Sequence, residues 1–183
     1  MVQSDITTIF STWHVIRAAG LTAYLLLFVI SALGLMISLQ MLPVKYRSQA
    51  LVIHKFSAIA CVAFTLVHGL MLLFDDYVHF SLGDILIPYK ADGYGEGLVT
   101  GILAFYSLLV ITIVSIPVIM KVVGAAIWRK AHYFALPCYW LALYHGIMVG
   151  TDRDAVAIVL LYATTSLGML VLCGMKMRRI FRK

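Results

Sequence analysis

The chain has 183 residues, 63% of them hydrophobic and 12% charged, with a formal net charge of +6 and a mean hydropathy of +1.00. Soluble domains hold roughly 45–50% apolar and about 25% charged residues, so a water-soluble globule is excluded. Cys61, Cys138 and Cys173 lie in apolar runs without a CxxC or CxxCH pattern, which argues against a disulfide framework and a covalently attached c-type haem.

A bilayer core of ~30 Å needs about 20 apolar helical residues. The first apolar run covers about 18–42; Asp5, Arg17 and its length mark a true span and not a cleaved leader. The second covers 51–74. An acidic connection follows over 75–96, carrying Tyr77, Phe80, Tyr89 and Tyr94. It closes on Gly93-Tyr-Gly-Glu-Gly97, which lacks the spacing and lysine of a phosphate loop and reads as loop plus helix entry. The third run covers 97–120. The fourth and shortest covers about 128–149, with its regular part beginning between Ala125 and His132, and the fifth covers 155–174. A basic tail, 175–183, suits a membrane-surface anchor attracted to anionic lipid. The expected fold is an all-α membrane protein: one domain, a bundle of five transmembrane helices.

Eleven of the fourteen basic residues flank the first loop (Lys45, Arg47, Lys55), the third (Lys121, Arg129, Lys130) or form the tail. The other ends of the spans carry only Arg17, Lys90 and Arg153, with all eight acids. The positive-inside rule therefore predicts an external amino terminus and a cytoplasmic carboxyl terminus in a cell membrane. The positive charge is topogenic, and no nucleic-acid partner is expected.

Four of the six histidines lie in or at the edge of spans, where a polar side chain is costly and points to function. His54 and His68 are fourteen residues apart on the second run; His132 and His145 are thirteen apart on the fourth. At 1.5 Å per residue each pair stands ~20 Å apart along the membrane normal. The two runs point the same way, so His54 is level with His132 and His68 with His145. Two imidazoles on different helices at each of two depths meet the requirement for two b-type haems, each held through both axial positions. Fourteen residues leave a phase error of only ~40°, whereas thirteen leave ~140°; a kink at Pro137, or a His132 that precedes the regular helix, would reconcile the second pair. A structural zinc is disfavoured, because its four ligands must converge.

Arg17 near the outer level, and Lys55, Arg129 and Lys130 near the inner, are candidate partners of haem propionates. Trp13 and Trp128 suit the interfacial aromatic belt. Phe64, Tyr139 and Trp140 fall between the two depths and are candidates for lining the gap. His79 beside Asp75 and Asp76 is a candidate metal-attracting patch, with His14 on the same side. The Asp152-Arg-Asp154 turn either orders the outer site or caps the fifth helix.

The segments His54-Lys-Phe-Ser57, His68-Gly-Leu70, Trp128-Arg-Lys-Ala-His-Tyr133 and His145-Gly-Ile-Met-Val-Gly-Thr-Asp152 resemble the ferric reductase-like transmembrane domain. That superfamily includes ferric reductases, the membrane part of NADPH oxidases and the haem-binding subunit of bacterial methionine-sulfoxide reductase. Arg17-Ala-Ala-Gly20, Asp76-Tyr-Val-His-Phe80 and Ile87-Pro-Tyr89 resemble its small bacterial members. The resemblance runs over about 13–178. It implies two bis-His b haems with ligands His54, His68, His132 and His145. Larger members append a flavin- and nicotinamide-binding domain; this sequence, ending at Lys183, is expected to draw electrons from a separate flavoprotein or quinol.

The expected function is transmembrane electron transfer from a cytoplasmic or quinol donor to an external acceptor such as ferric iron or oxygen, an oxidoreductase component. The alternatives are a haem-binding subunit that anchors and reduces a partner oxidoreductase, and a non-redox haem-sensing or structural membrane protein.

Overall fold

The computed structural model describes residues 11–75, 78–91, 93 and 95–182. Expectations that involve Asp5, Asp76, Tyr77, Asp92, Tyr94 and Lys183 lie outside the described residues. Seven α-helices make up the chain there: α1 Thr12–Ser38, α2 Val44–Met71, α3 Leu82–Leu86, α4 Gly95–Val114, α5 Pro117–His132, α6 Ala135–Val149 and α7 Val156–Phe181. A 3-10 turn, Leu72–Phe74, extends α2.

Four helical stretches are long and apolar enough to cross a membrane: Thr12–Ser38, Val44–Phe74, Gly95–Val114 and Val156–Phe181. The shorter apolar α6 has 15 residues. Large apolar side chains face outward along the helices, Phe56 at 72% exposure and Ile59 at 70% among them. So much exposed apolar surface marks lipid contact, and the protein is a multi-pass membrane protein.

The helix limits differ from the hydropathy runs for local reasons. α1 begins six residues before its run, because the interfacial residues Trp13 and Arg17 are already helical. α2 begins at Val44 because Pro43 supplies the residue before the first turn. α4 stops at Val114, short of 120, because Pro117 has no N–H to continue the ladder and opens α5 at its first position. Inside α5, Gly124 takes φ 79°, a left-handed value that breaks the helix. α7 runs on to Phe181, so most of the basic tail is helical.

Packing follows a four-helix square. α1 lies along α2 and α4 along α6, while α1 also touches α6 and α2 touches α4. α2 and α6 therefore occupy one diagonal and make no extended backbone contact. α7 packs on the outside of α1. The centre is built from Tyr24, Leu27, Cys61, Ala104, Leu108, Cys138, Tyr139, Leu143 and Met169. Its polar groups are satisfied in a chain. Thr165 donates to the Leu161 carbonyl (2.8 Å), so the Tyr24 hydroxyl donates to Thr165 (2.5 Å) and accepts from Tyr139 (3.0 Å). This chain ties α1, α6 and α7 together where no water is at hand.

The ends are fastened differently. At the basic end α1 finishes with Gln40 at φ 57°. Arg179 of α7 donates to the Leu39 carbonyl (2.7 Å) and to Gln40 Oε1 (3.4 Å), and Lys176 donates to Ser38 Oγ. The orphan carbonyls of a helix C-terminus are thus capped by a guanidinium. At the acidic end Arg17 of α1 forms an ion pair with Asp152 in the α6–α7 connection.

Candidate functional site

On α2 the inward stripe runs Ala50, His54, Ser57, Cys61, His68, with Ala50, Ser57 and Cys61 buried. Steps of four and three keep one face toward a neighbour, and two such repeats bring His68 back over His54. His145 lies on α6, seven residues beyond buried Cys138.

His132 is the last residue of α5, not part of α6. The link Tyr133–Phe134 is right-handed helical but tighter: Tyr133 N–H bonds Lys130 O (3.2 Å), Phe134 N–H bonds Ala131 O (3.0 Å) and Leu136 N–H bonds Tyr133 O (3.4 Å). These i to i+3 bonds turn each residue by about 120° in place of 100°. Over the three bonds of the link this recovers about 60° of the ~140° phase error of the thirteen-residue spacing. Of the two remedies considered for that spacing, the structure has a His132 that precedes the regular helix and no break at Pro137, which sits in the first turn of α6, where its missing N–H costs no bond.

The rings meet in two pairs, His54 and His68 of α2 facing His132 at the end of α5 and His145 of α6. His54 and His132 have ring centroids 6.2 Å apart with planes at 42°, and His68 and His145 are 6.1 Å apart at 84°. Three are pinned from behind: His54 Nδ1 to Ile30 O (3.0 Å), His68 Nδ1 to Ile16 O (2.8 Å) and His145 Nδ1 to Gly97 O (2.8 Å). A carbonyl only accepts, so each Nδ1 carries the proton and each Nε2 keeps a free lone pair.

Each pinned ring also lies against a glycine four residues after its carbonyl. A Cβ on Gly20 would stand 2.9 Å from His68 Nδ1, on Gly101 2.5 Å from His145 Nδ1, and on Gly34 3.4 Å from His54 Cε1. Sequence reasoning missed these glycines. Their signal was present in that Gly20 and Gly34 are fourteen residues apart, the spacing of His54 and His68. It also missed the thiols. Cys61 lies midway between the histidines of α2 and donates to Ala23 O (3.4 Å); Cys138 lies near midway between His132 and His145 and donates to Ala104 O (3.3 Å).

The supporting residues divide. Arg17 stacks on Trp13 (4.6 Å to the ring centre) while pairing with Asp152. Lys55, Arg129 and Lys130 are exposed and form no ion pair among the described residues. Tyr139, a candidate either for the gap or for ordinary packing, is fully buried in the core and bonded to Tyr24 of α1. Phe64 is 40% exposed. Ala155, and not an aspartate, stands at the cap of α7, so of the two roles open to the Asp152-Arg-Asp154 turn the cap is not found; Asp152 holds Arg17 at the acidic end. His14 is bonded to Ser11 Oγ (2.5 Å) and His79 is exposed. Among the described residues no three His, Cys, Asp or Glu side chains converge.

Residues 19–148 match the family described as "Ferric reductase like transmembrane component". The chain belongs to this family. The match takes in all four paired histidines and most of α1 through α6; α7, which staples α1 at the basic end, lies beyond it. No curated protein and no solved structure gives a significant match to this ferric reductase like component.

Proposed function

We propose that the protein carries electrons across the membrane through two b-type haems, one between His54 and His132 and one between His68 and His145. The spacing of the rings carries this reading. An iron held from both sides at about 2 Å per bond, with about 1 Å from each Nε2 to its ring centre, separates the two ring centres by about 6 Å, and both pairs stand at that distance. Pairs without a third ligand suit a macrocycle that supplies the remaining coordination, and the glycines leave room for the rings close against α1 and α4. Bound there, the haems would supply two six-coordinate one-electron centres in series, with no open position for direct oxygen binding.

The chain's own residues do the rest. The carbonyls of Ile16, Ile30 and Gly97 fix the tautomer and raise the basicity of the nitrogen opposite. Lys55, Arg129 and Lys130, unpaired at the basic end, neutralise propionates there; Arg17, held by Asp152, does so at the acidic end. α6 alone is about 22 Å long, but the tightened link joins it to the part of α5 after Gly124. The path 125–149 thus completes a fifth crossing, with an external amino terminus and the basic end in the cytoplasm. Electrons enter at that basic end from a reduced flavin or quinol donor and leave at the acidic end to an acceptor such as ferric iron or oxygen, in a plasma membrane.

The purified chain should show a reducible low-spin b-type spectrum with two haems. His68→Ala or His145→Ala should remove one and spare the other, and His54→Ala or His132→Ala should do the reverse. Retention of both haems in all four variants would overturn the ligand assignment.

A further inference from the structure

Three histidines share one device, a carbonyl at position i behind the ring and a glycine at i+4 beside it. α1 repeats it after fourteen residues, at Ile16 with Gly20 and at Ile30 with Gly34. α4 has it once, at Gly97 with Gly101. Fourteen residues beyond Gly101 the place falls on Ser115, and the corresponding carbonyl is that of Ile111. That carbonyl is already taken, accepting from Ser115 Oγ (2.7 Å) and from Ser115 N–H (3.2 Å). The fourth device is thus filled by a serine hydroxyl. In keeping with this, His132 Nδ1 is buried and has no hydrogen-bond partner among the described residues.

Something else orients that ring. Trp128, one turn earlier on α5, lies 4.7 Å from His132 between ring centroids, tilted by 34°. Its Nε1–H donates to Ser115 Oγ (3.2 Å). The serine that fills the missing device is therefore the group that clamps the indole. We propose that Trp128, held by Ser115, is the positioning residue of His132, and that His132 is the most weakly held of the four iron ligands. The orienting claim concerns the chain alone. The ligand-strength claim rests on the haem reading and follows because an imidazole whose far N–H is unbonded is a poorer donor, loss of such an outer partner typically costing about 10–100-fold in metal affinity.

Two measurements on the full-length protein test this. In the haem-free protein carrying His14→Gln and His79→Gln, so that only the four paired histidines remain, nitrogen NMR of labelled histidine should show three rings with a hydrogen-bonded Nδ1–H and one, His132, without; Trp128→Leu should move the His132 signals alone. In the haem-loaded protein, Trp128→Leu should weaken retention of one haem about ten-fold and shift one midpoint potential, while Trp128→Phe, which keeps an aromatic plane but loses the bond to Ser115, should restore both only in part. Four equivalent histidines with Trp128 in place would overturn the proposal, as would a Trp128→Leu variant that leaves both centres unchanged or disturbs both alike. If no haem binds but His132 is set apart by NMR, the haem reading falls and the orienting role of Trp128 stands.

Discussion

The two histidine pairs are alike in separation and unlike in support. At the acidic end both rings are tied to main-chain carbonyls of neighbouring helices and pressed against glycines, and Arg17 with Asp152 closes the end above them. At the basic end only His54 is tied in this way, while His132 lies at the end of a helix already broken at Gly124 and leans on an indole. A backbone carbonyl in a regular helix is a fixed point, whereas a side chain on a short helix moves with that helix. The acidic-end pair is thus held by main-chain bonds on both rings and the basic-end pair on one.

The largest effect that would sharpen this contrast comes from the glycines. Gly101→Val places carbon where 2.5 Å separates a Cβ from His145 Nδ1. It should abolish the acidic-end haem, read as loss of one of two b-type signals, and cost about 1–3 kcal/mol in stability through overpacking. Gly34→Ala, whose Cβ would meet His54 at an ordinary 3.4 Å, should leave both signals in place. Equal loss in both variants would show that the close approach at Gly101 has no special role.

A smaller effect is expected from Tyr24→Phe, which removes the acceptor of the Tyr139 hydroxyl and the donor to Thr165. Leaving Tyr139 buried and unpaired should lower stability by about 1 kcal/mol, seen as a lower unfolding midpoint in detergent, with both haem signals intact. The smallest concerns the acidic connection. Ser81 opens α3 in a capping box, its hydroxyl and N–H both bonded to the Asp84 carboxylate (2.6 and 2.8 Å). Those bonds hold the Asp84 carboxyl below its ordinary range. The box should therefore contribute fully above the ordinary carboxylate pKa and be lost as pH falls through the lowered one. The protection of the amides over 81–86, relative to their intrinsic exchange rates at each pH, should fall in acid, and Asp84→Asn should remove that pH response.

Much of the site was legible because a helix converts sequence spacing into height and azimuth. His54 and His68, fourteen apart, had to share a face, and the direction of the runs put them level with His132 and His145. The device behind the rings was not legible, since it depends on which helix lies beside α2 and at what register; only the packing of α1 made Gly20 and Gly34 meaningful. The break after His132 was half legible, since the thirteen-residue spacing called for a His132 outside the regular helix, but its place at Tyr133–Phe134 was not, because no proline or glycine marks it and Pro137 falls harmlessly in a first turn.

By itself the sequence determined that the chain lies in a membrane, that its charges segregate to two ends, and that four imidazoles stand at two heights, all consequences of hydropathy and helical rise. The tertiary structure decided which carbonyls hold the rings, that Arg17 belongs to Asp152, and that Tyr139 packs in the core against Tyr24. Those choices turn on contacts between residues far apart in the chain, which no local periodicity encodes.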